Sequence, residues 1–294
     1  GTYSDFIGSI LAKNFAAGGA TTGASITIAA SGSFFTLTRA AGSWLTDGFY
    51  VGNIIRLTGA GFAPANVGNN LLVVGLTALV VTVVVLSGTT LVAEGPIASA
   101  NAAVVGKQSY VPLSNHTDDS YTVEQWFSDI TQSEVYTGLK PASIALSLPS
   151  TGLVTASLSF MGKNLEQTGT TQYFTSPAAT NTEGIFAAVS GAVIVNGQPV
   201  GLITSMDLSI SRNQEAANVV GSNFAADIFV GRITATGSLS VYFQDAVFRN
   251  YFDKEDKISI VVALTTGEEK DAEVMSFTMG KVKINGGSKT DAEL

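Results

Sequence analysis

The chain of 294 residues contains no cysteine and a single histidine. The absence of cysteine excludes disulfide scaffolds, zinc ribbons, iron–sulfur clusters and thiol nucleophiles. Charged residues are also scarce, at 13% against about 25% in typical soluble domains. Because hydrophobic residues make up 46% of the chain, so few charges indicate that much of the folded surface does not face water. The composition therefore predicts an obligate assembly.

Basic residues are too few for a protein that reads a nucleic-acid sequence. The formal net charge is −8, whereas such proteins carry basic patches that neutralise phosphates. Residues 1–108 hold three acidic and four basic residues, so the negative charge belongs to the remainder of the chain. The charge therefore excludes a sequence-specific nucleic-acid binder.

Catalytic and cofactor-binding motifs are absent. The chain has no nucleophile elbow, no phosphate loop, no G-x-G-x-x-G after a predicted strand and no H-E-x-x-H. The one histidine, His116, lies in the polar stretch SNHTDD without an accompanying serine or cysteine motif, so a surface position is expected. Asp118–Asp119 and the acidic cluster at 253–256 match no calcium-loop spacing. The sequence predicts no enzyme, no cofactor and no metal site.

No long hydrophobic segment is present either. The longest candidate, Leu71–Leu86, has 16 uncharged residues, fewer than the about 20 that a membrane-spanning helix needs. Its valines and Gly75 favour two buried strands joined by a turn. The opening GTYSDFIGSI lacks the basic n-region of a secretory signal. We expect no membrane partner.

The first third of the chain predicts a short helix followed by a small β unit. Apolar residues recur at three- and four-residue spacing over 2–15, which is typical of a helix. Short β segments, punctuated by turn residues, follow at 34–38, 52–57, 71–74, 79–85 and 90–92. Trp44 and Phe49 flank the Asp47–Gly48 turn and are expected in the core of this unit.

This β unit has the features of an inserted domain. Small-residue stretches at Gly18–Gly23 and Ala98–Ala103 bound it, as linkers bound insertions. We therefore predict a small all-β domain at 25–107, inserted into a discontinuous β domain that comprises 1–24 and 108–294.

The second region contains strands with two chemically different faces. Segments 143–148, 153–160, 202–210 and 233–243 alternate apolar residues with small hydroxyl residues. The hydroxyl faces of the last three segments comprise Thr155, Ser157, Ser159, Ser205, Asp207, Ser209, Thr234, Thr236, Ser238 and Ser240, and Ser143, Ala145 and Ser147 form that of the first.

An ordinary solvent-exposed sheet face is the simplest interpretation of this pattern, but it predicts more charge. Only one charged residue, Asp207, lies on the four hydroxyl faces. A hydroxylated wall with almost no charged side chains suits a wet channel through which a polyanion passes without binding. These ten residues are therefore our candidates for a channel-lining surface.

Other elements are expected around this sheet. Asn196–Gly197 predicts a tight hairpin turn. Asp245 is a candidate cap for a second short helix, in which Val247, Phe248, Tyr251 and Phe252 would share one face over the sheet. Strands are predicted at 257–264, 275–279 and 281–284.

Three stretches of the chain together resemble the tail tube (major tail) proteins of long-tailed bacteriophages. The first is the GTYSDFIGSIL helix with the unit SFFTLTRAAGSWLTDGFYVGNIIRLTG, and the second is SYTVEQWFSDI at 120–130 with the segment 135–164. The third runs from Asn196 through 224–243 and the helix at 248–252 to the terminal strands. In this family further β structure usually precedes the helix at 2–15, so the resemblance predicts that this chain lacks its original N-terminus.

The resemblance implies a mainly β fold: a tail-tube-type β-sandwich or barrel subunit with flanking short helices, with 25–107 as an outer all-β domain. It implies hexameric rings that stack into the hollow tail tube, the conduit for double-stranded DNA ejection into the host. Implied partners are the tape measure, terminator and distal tail proteins, and genomic DNA that passes without specific binding. The implied location is the virion tail, after assembly in the host cytoplasm.

The hydroxyl faces agree with these expectations. Four strands in each of six subunits would close a barrel of 24 strands, a size that leaves an aqueous lumen. Closure would pair the open sheet edges, and head-to-tail stacking would give an open-ended filament.

The alternative is another self-assembling phage or surface β protein, such as a decoration, shell or adhesin-like glycan-binding module. An aromatic platform would favour that alternative, but Trp44, Trp126 and the tyrosines do not cluster in the sequence.

Overall fold

A computed structural model describes residues 2–176, 184–187, 190–200, 203–242 and 247–288. The fold is mainly β, as the sequence predicts. Leu202, Phe243 and the candidate cap Asp245 lie outside the described residues. The described elements are two helices, α1 (Thr2–Ile10) and α2 (Val247–Asp253), and twenty strands. In chain order the strands are β1 (Ala16–Ala17), β2 (Ala20–Ser31), β3 (Phe34–Arg39), β4 (Ile54–Thr58), β5 (Asn70–Leu76), β6 (Val80–Ser87), β7 (Glu94–Val104), β8 (Lys107–Gln108), β9 (Tyr121–Phe127), β10 (Gln132–Leu148), β11 (Thr155–Met161), β12 (Asn164–Gly169), β13 (Gly191–Val195), β14 (Gln198–Pro199), β15 (Ile203–Ser211), β16 (Glu215–Asn218), β17 (Ala225–Phe229), β18 (Thr234–Val241), β19 (Lys257–Thr265) and β20 (Val274–Lys283).

The first β unit is a closed six-stranded barrel with the strand order β2-β3-β6-β5-β4-β7. Its interior is a separate apolar cluster. Trp44 and Phe49 are both fully buried there, with their rings edge to face at 5.0 Å, and the Trp44 Nε1–H donates to the Leu79 carbonyl at 3.2 Å. The predicted core position of both aromatics is confirmed.

Two barrel strands differ from the prediction. Residues 90–92 are not a strand, and β2 and β7, which the sequence did not predict, complete the barrel. The Ala98–Ala103 stretch, predicted to be a linker, lies inside β7, and Gly23 lies inside β2. Alanine and glycine have weak strand propensity, but where β2 pairs with β7 the small side chains of Ala24 and Ala100 face each other. The need to close the barrel overrides the local preference.

The rest of the chain is a β sandwich. We call the sheet β11-β10-β15-β18 the front sheet and the sheet β14-β13-β19-β20 the back sheet. Alternate residues of the front sheet, among them Ile144, Leu146 and Leu208, pack against Ile260 and Val262 of β19 in a second apolar cluster. The helix α1 also contributes to this cluster, through Ile7 and Ile10. It ends before the predicted residue 15, because Ala12 takes a left-handed conformation with φ 58°.

The back sheet is apolar on both faces. On the face away from the front sheet, Ile194, Val261 and Ala263 pack against Ile54 and Leu72 of the barrel in a third cluster. The molecule therefore has three layers, in the order front sheet, back sheet and barrel.

Polar contacts fix the barrel to the back sheet. Arg56 and Asn70 both donate to the Ala272 carbonyl at 3.0 Å, and Ser276 Oγ donates to the Gly52 carbonyl at 2.7 Å. Gly52 has φ 89°, and a Cβ there would lie 1.7 Å from Thr278 Oγ1. Any larger residue at position 52 would collide with Thr278 of β20 and would adopt a strained backbone conformation.

The chain segments that enter and leave the barrel pair with each other. Ala16 of β1 pairs with Gln108 of β8, and Ala17 pairs with Lys107. The two chain crossings between the barrel and the sandwich are therefore adjacent in space.

Three further predictions meet different outcomes. Asn196 and Gly197 form the predicted turn between β13 and β14, with φ 49° and 77°. The predicted apolar face of the second helix is wrong in part: Phe248 and Tyr251 pack on the sandwich core, whereas Val247 and Phe252 are 41% and 45% exposed. The strands predicted at 275–279 and 281–284 are one continuous strand, β20.

None of the described helices is long and apolar enough to cross a membrane.

Excision of the barrel provides a test of the layered architecture. We expect that replacing residues 19–106 with a short Gly/Ser bridge leaves a folded sandwich, since β1 and β8 already hold the cut ends together. Ile194→Thr and Val261→Thr should accompany the excision, because the barrel covers both side chains. Circular dichroism and thermal unfolding should show a β fold with one cooperative transition.

The matched control is the same excision without the two threonines. It should aggregate, since it exposes an apolar sheet face. Loss of the β signal in both variants would show that the sandwich needs the barrel to fold.

Candidate functional site

The hydroxyl residues of the front sheet form one continuous surface. Strand pairing arranges them in three rows, each with one residue from each strand: Thr155–Ser147–Asp207–Ser238, Ser157–Ala145–Ser209–Thr236 and Ser159–Ser143–Ser211–Thr234. Ser205 and Ser240 pair beyond the first row. All ten candidates of the sequence analysis thus lie on one face. Ser211, which completes the third row, was missed because the sequence shows alternation but not where a strand ends.

This surface is open and slightly concave. It contains a shallow depression of about 460 Å³ lined by Ala145, Ser157, Asp207 and their row neighbours. Most of the row residues are exposed and the others are half-buried. No large apolar side chain and no basic side chain belongs to the rows.

The polar groups of the surface bond to each other. Ser147 Oγ donates to Asp207 Oδ1 at 2.7 Å, and Ser238 Oγ donates to Asp207 Oδ2 at 3.2 Å. Ser143 Oγ and Ser159 Oγ share a hydrogen bond of 2.6 Å. These bonds run across the strands and hold the Asp207 carboxylate between two hydroxyls of its own row. Such a surface has no basic group that would retain a phosphate.

The two ends of the front sheet differ. At one end β10 continues for eight residues, 132–139, beyond the rows and pairs there with β9 and β12; eight residues correspond to about 25 Å. We call this three-stranded extension, together with the β16–β17 hairpin and residues 170–176, the ribbon end. At the opposite end, which we call the turn end, residues 149–154 connect β10 to β11 and β18 leads towards α2.

Two buried cations lie where the ribbon end joins the front sheet. Lys140 is 5% exposed, and its Nζ donates to Asp118 Oδ2 at 2.6 Å and to the Ile228 carbonyl at 3.0 Å. Arg212 is 2% exposed and donates to the Ser9 carbonyl at 2.9 Å and to the Thr117 carbonyl at 2.8 Å. Burial lowers the pKa of Arg212, and the charges of Asp118 and Asp119 oppose that shift.

These contacts hold the β16–β17 hairpin across β10. Lys163, which follows β11, binds Asp227 of β17 with an Nζ to Oδ1 distance of 2.7 Å. The hydrogen bond from Lys163 lowers the pKa of Asp227. Asp227 therefore stabilises the fold above pH 3.8, its ordinary pKa, and that contribution is lost as the pH falls through the lowered value.

Sequence reasoning missed this network, although one signal was present. In β15 the apolar alternation Leu208, Ile210 continues to Arg212, and a cation at an apolar position requires buried partners. The partners, Asp118 and two backbone carbonyls, come from distant parts of the chain, so the sequence does not identify them.

A carboxylate also organises the far part of the ribbon end. Glu124 of β9 accepts hydrogen bonds from Ser133 Oγ at 2.6 Å, from the Tyr173 N–H at 2.7 Å and from the Phe174 N–H at 2.9 Å. Burial raises the pKa of Glu124, but the three hydrogen bonds outweigh it and lower the pKa overall. The carboxylate therefore fixes residues 170–176 against the ribbon.

No described group of three or more histidine, aspartate or glutamate side chains is placed to hold a metal ion. His116 is exposed in its loop.

Comparison with protein families gives a match over nearly the whole chain. The family model described as "Phage tail tube protein" matches residues 3–292, nearly the whole chain. A search of curated proteins finds no match.

Loss of Asp118 should destabilise the fold more than loss of Lys140, its partner in the ion pair. Asp118→Ala leaves Lys140 and Arg212 buried without their nearest carboxylate, and we expect a loss of about 3 kcal/mol in the free energy of unfolding. Lys140→Met keeps the volume and leaves Asp118, whose side chain is 49% exposed, free to be hydrated. Its loss should be about 1 kcal/mol. Urea unfolding of both variants measures the difference, and an equal or reversed order would contradict this account of the network.

Proposed function

Since the chain belongs to the phage tail tube protein family, we propose that its front sheet forms the inner wall of a tube of stacked hexameric rings, the conduit for double-stranded DNA ejection into the host. Membership in the family makes the protein a structural component of the virion tail. The observation that carries the proposal is the row pattern, in which small hydroxyls surround a single carboxylate.

The strand edges of the front sheet support ring closure. Among the described residues β11 pairs only with β10, and β18 pairs only with β15, so each has one open edge. The four strands alternate in direction, and therefore β18 of one copy meets β11 of the next copy in antiparallel orientation. Closure in this way removes every open edge of the front sheet. Six copies give 24 strands, and barrels of that size enclose an aqueous lumen.

The chemistry of the rows suits DNA transit. Double-stranded DNA carries one negative charge per about 1.7 Å of its axis, and each basic side chain that binds it releases counterions. A wall without basic residues gains no such binding energy. In a hexamer Asp207 contributes a ring of six carboxylates, whose repulsion is screened within about 8 Å at physiological salt. The DNA is thus kept from the wall without being excluded from the channel.

The layer order supports a position of the barrel on the outside of the tube. The back sheet separates the barrel from the front sheet, so a front sheet that faces the lumen directs the barrel outwards. Other tail proteins, namely the tape measure, terminator and distal tail proteins, are the expected partners. The subunits assemble in the host cytoplasm.

A glycan-binding module, the alternative from the sequence, finds less support. Such a module needs exposed aromatic platforms. Trp44 is fully buried and Trp126 is half-buried. The exposed rings of Tyr173 and Phe174 pack edge to face and do not form one flat platform.

Cysteine labelling can test which surface faces the lumen. The parent chain has no cysteine, so single replacements are unambiguous. Ser157→Cys on the rows should react in assembled tubes with a small maleimide but not with one coupled to a bulky polymer. Thr38→Cys, exposed on barrel strand β3, should react with both. Equal reaction of Ser157→Cys with the two reagents would place the rows outside and contradict the proposal.

Charge reversal on the wall should slow DNA transit. In virions with Asp207→Lys, each ring gains six phosphate-binding groups, and we expect DNA ejection to slow several-fold and to recover as salt is raised. The control Asp207→Asn removes the carboxylate without adding a base and should eject at close to the parental rate. Asp207→Lys virions that assemble and eject at the parental rate at low salt would show that wall charge has no role.

A further inference from the structure

Exposed apolar side chains concentrate at the ribbon end. Ten of the 24 large hydrophobic side chains that are exposed among the described residues lie in 121–139, 164–176 and 215–230. Val220 at the hairpin tip is fully exposed, and Tyr173 and Phe174 are 51% and 42% exposed. A monomeric protein rarely presents so many apolar groups at one end, and such concentrations mark interaction sites.

These side chains are held in place by the contacts described above. Glu124 fixes the backbone of Tyr173 and Phe174, and their rings pack edge to face at 4.9 Å. Lys140 and Lys163 fix the β16–β17 hairpin. A surface that is ordered before binding loses little conformational entropy when a partner docks.

The turn end presents the complementary apolar patch. Leu153 and Ile185 are 55% and 66% exposed, and the hydrogen bond from the Val154 N–H to the Phe186 carbonyl, 3.0 Å long, holds their two segments together. Tyr242, directly after β18 at the same end, is 63% exposed.

Charge also distinguishes the two ends. The ribbon-end segments 121–139, 164–176 and 215–230 contain six acidic residues and no basic ones. Around α2, residues 249–257 and 281–283 contain five basic and three acidic residues, and Lys283 binds Glu255 at 2.9 Å beside that helix. Asp227 is paired with Lys163, but the ribbon-end segments keep an acidic excess, so two ribbon ends repel each other. A ribbon end is attracted to the basic excess around α2, the helix that follows β18.

We propose that the ribbon end of one copy docks on the turn end of a second copy in the next ring, with Tyr173, Phe174 and Val220 against Leu153, Ile185 and Tyr242. This inference rests on the proposed function, since it presupposes rings. The two surfaces are different and lie at opposite ends of the front sheet, so the contact is heterologous and open-ended, and it sets the polarity of the tube. Each ring repeats it six times, which makes a modest individual contact sufficient.

The test uses one aspartate at each end. Val220→Asp and Tyr242→Asp alter exposed side chains, and each should give single rings in place of long tubes in negative-stain microscopy and sedimentation. The matched control is Val92→Asp, on the barrel, where the valine is 50% exposed, and it should give tubes of parental length. Tubes of parental length from Val220→Asp and Tyr242→Asp would overturn the inference while leaving the ring proposal intact. Loss of the rings themselves in either variant would also overturn it, by assigning these residues to the lateral contact.

A mixing experiment sharpens the test. Val220→Asp rings retain a parental turn end, and Tyr242→Asp rings retain a parental ribbon end. A mixture of the two should therefore form stacks of two rings and nothing longer. Single rings alone, or long mixed tubes, would contradict a head-to-tail contact between these surfaces. Failure of the parent chain to form rings under any condition would instead contradict the proposed function.

Discussion

Burial of the back sheet on both of its faces is the constraint on which the rest of the molecule depends. Of the nine residues of strand β19, seven are buried and one is half-buried. Neither face of the strand is therefore available to water. One face requires the apolar side of the front sheet, and the other requires the barrel. The front sheet is thereby left with one free face, and that face alone can be polar along its full length. A barrel attached anywhere else would leave Val261 and Ala263 exposed to solvent.

The sequence predicts side-chain faces well and strand partners poorly, for a physical reason. Side chains alternate along a strand with a period of two, so the hydroxyl and apolar faces around Ser157 or Asp207 follow from local order. The partners of a strand depend on contacts between distant segments, so the rows that align Thr155 with Ser238 follow only from the register. Strand β7 shows the opposite failure: its alanines and glycine give no local signal, and only closure of the barrel makes it a strand. Lys140 and Arg212 were missed because the groups that neutralise them lie elsewhere in the chain.

The even number of strands in the front sheet allows the open edges of identical copies to pair with each other. An unpaired edge strand invites uncontrolled association, and β11 and β18 carry no charged side chain that would prevent it. Four antiparallel strands per subunit let identical copies join without a change in strand direction. In this interpretation the edges are uncharged because they are interfaces.

The placement of charge resolves a conflict between solubility and transport. A subunit with 13% charged residues still needs net charge to remain soluble before it assembles, but basic groups on the rows would retain DNA. Six of the 23 acidic residues lie in the ribbon-end segments 121–139, 164–176 and 215–230, which hold no basic residue. Lys140 and Arg212 are buried and paired. Negative charge at one end repels like ends, so it opposes aggregation and leaves only the opposite end of another copy as a partner. The same distribution therefore serves the free subunit, the direction of stacking and a wall that DNA can pass.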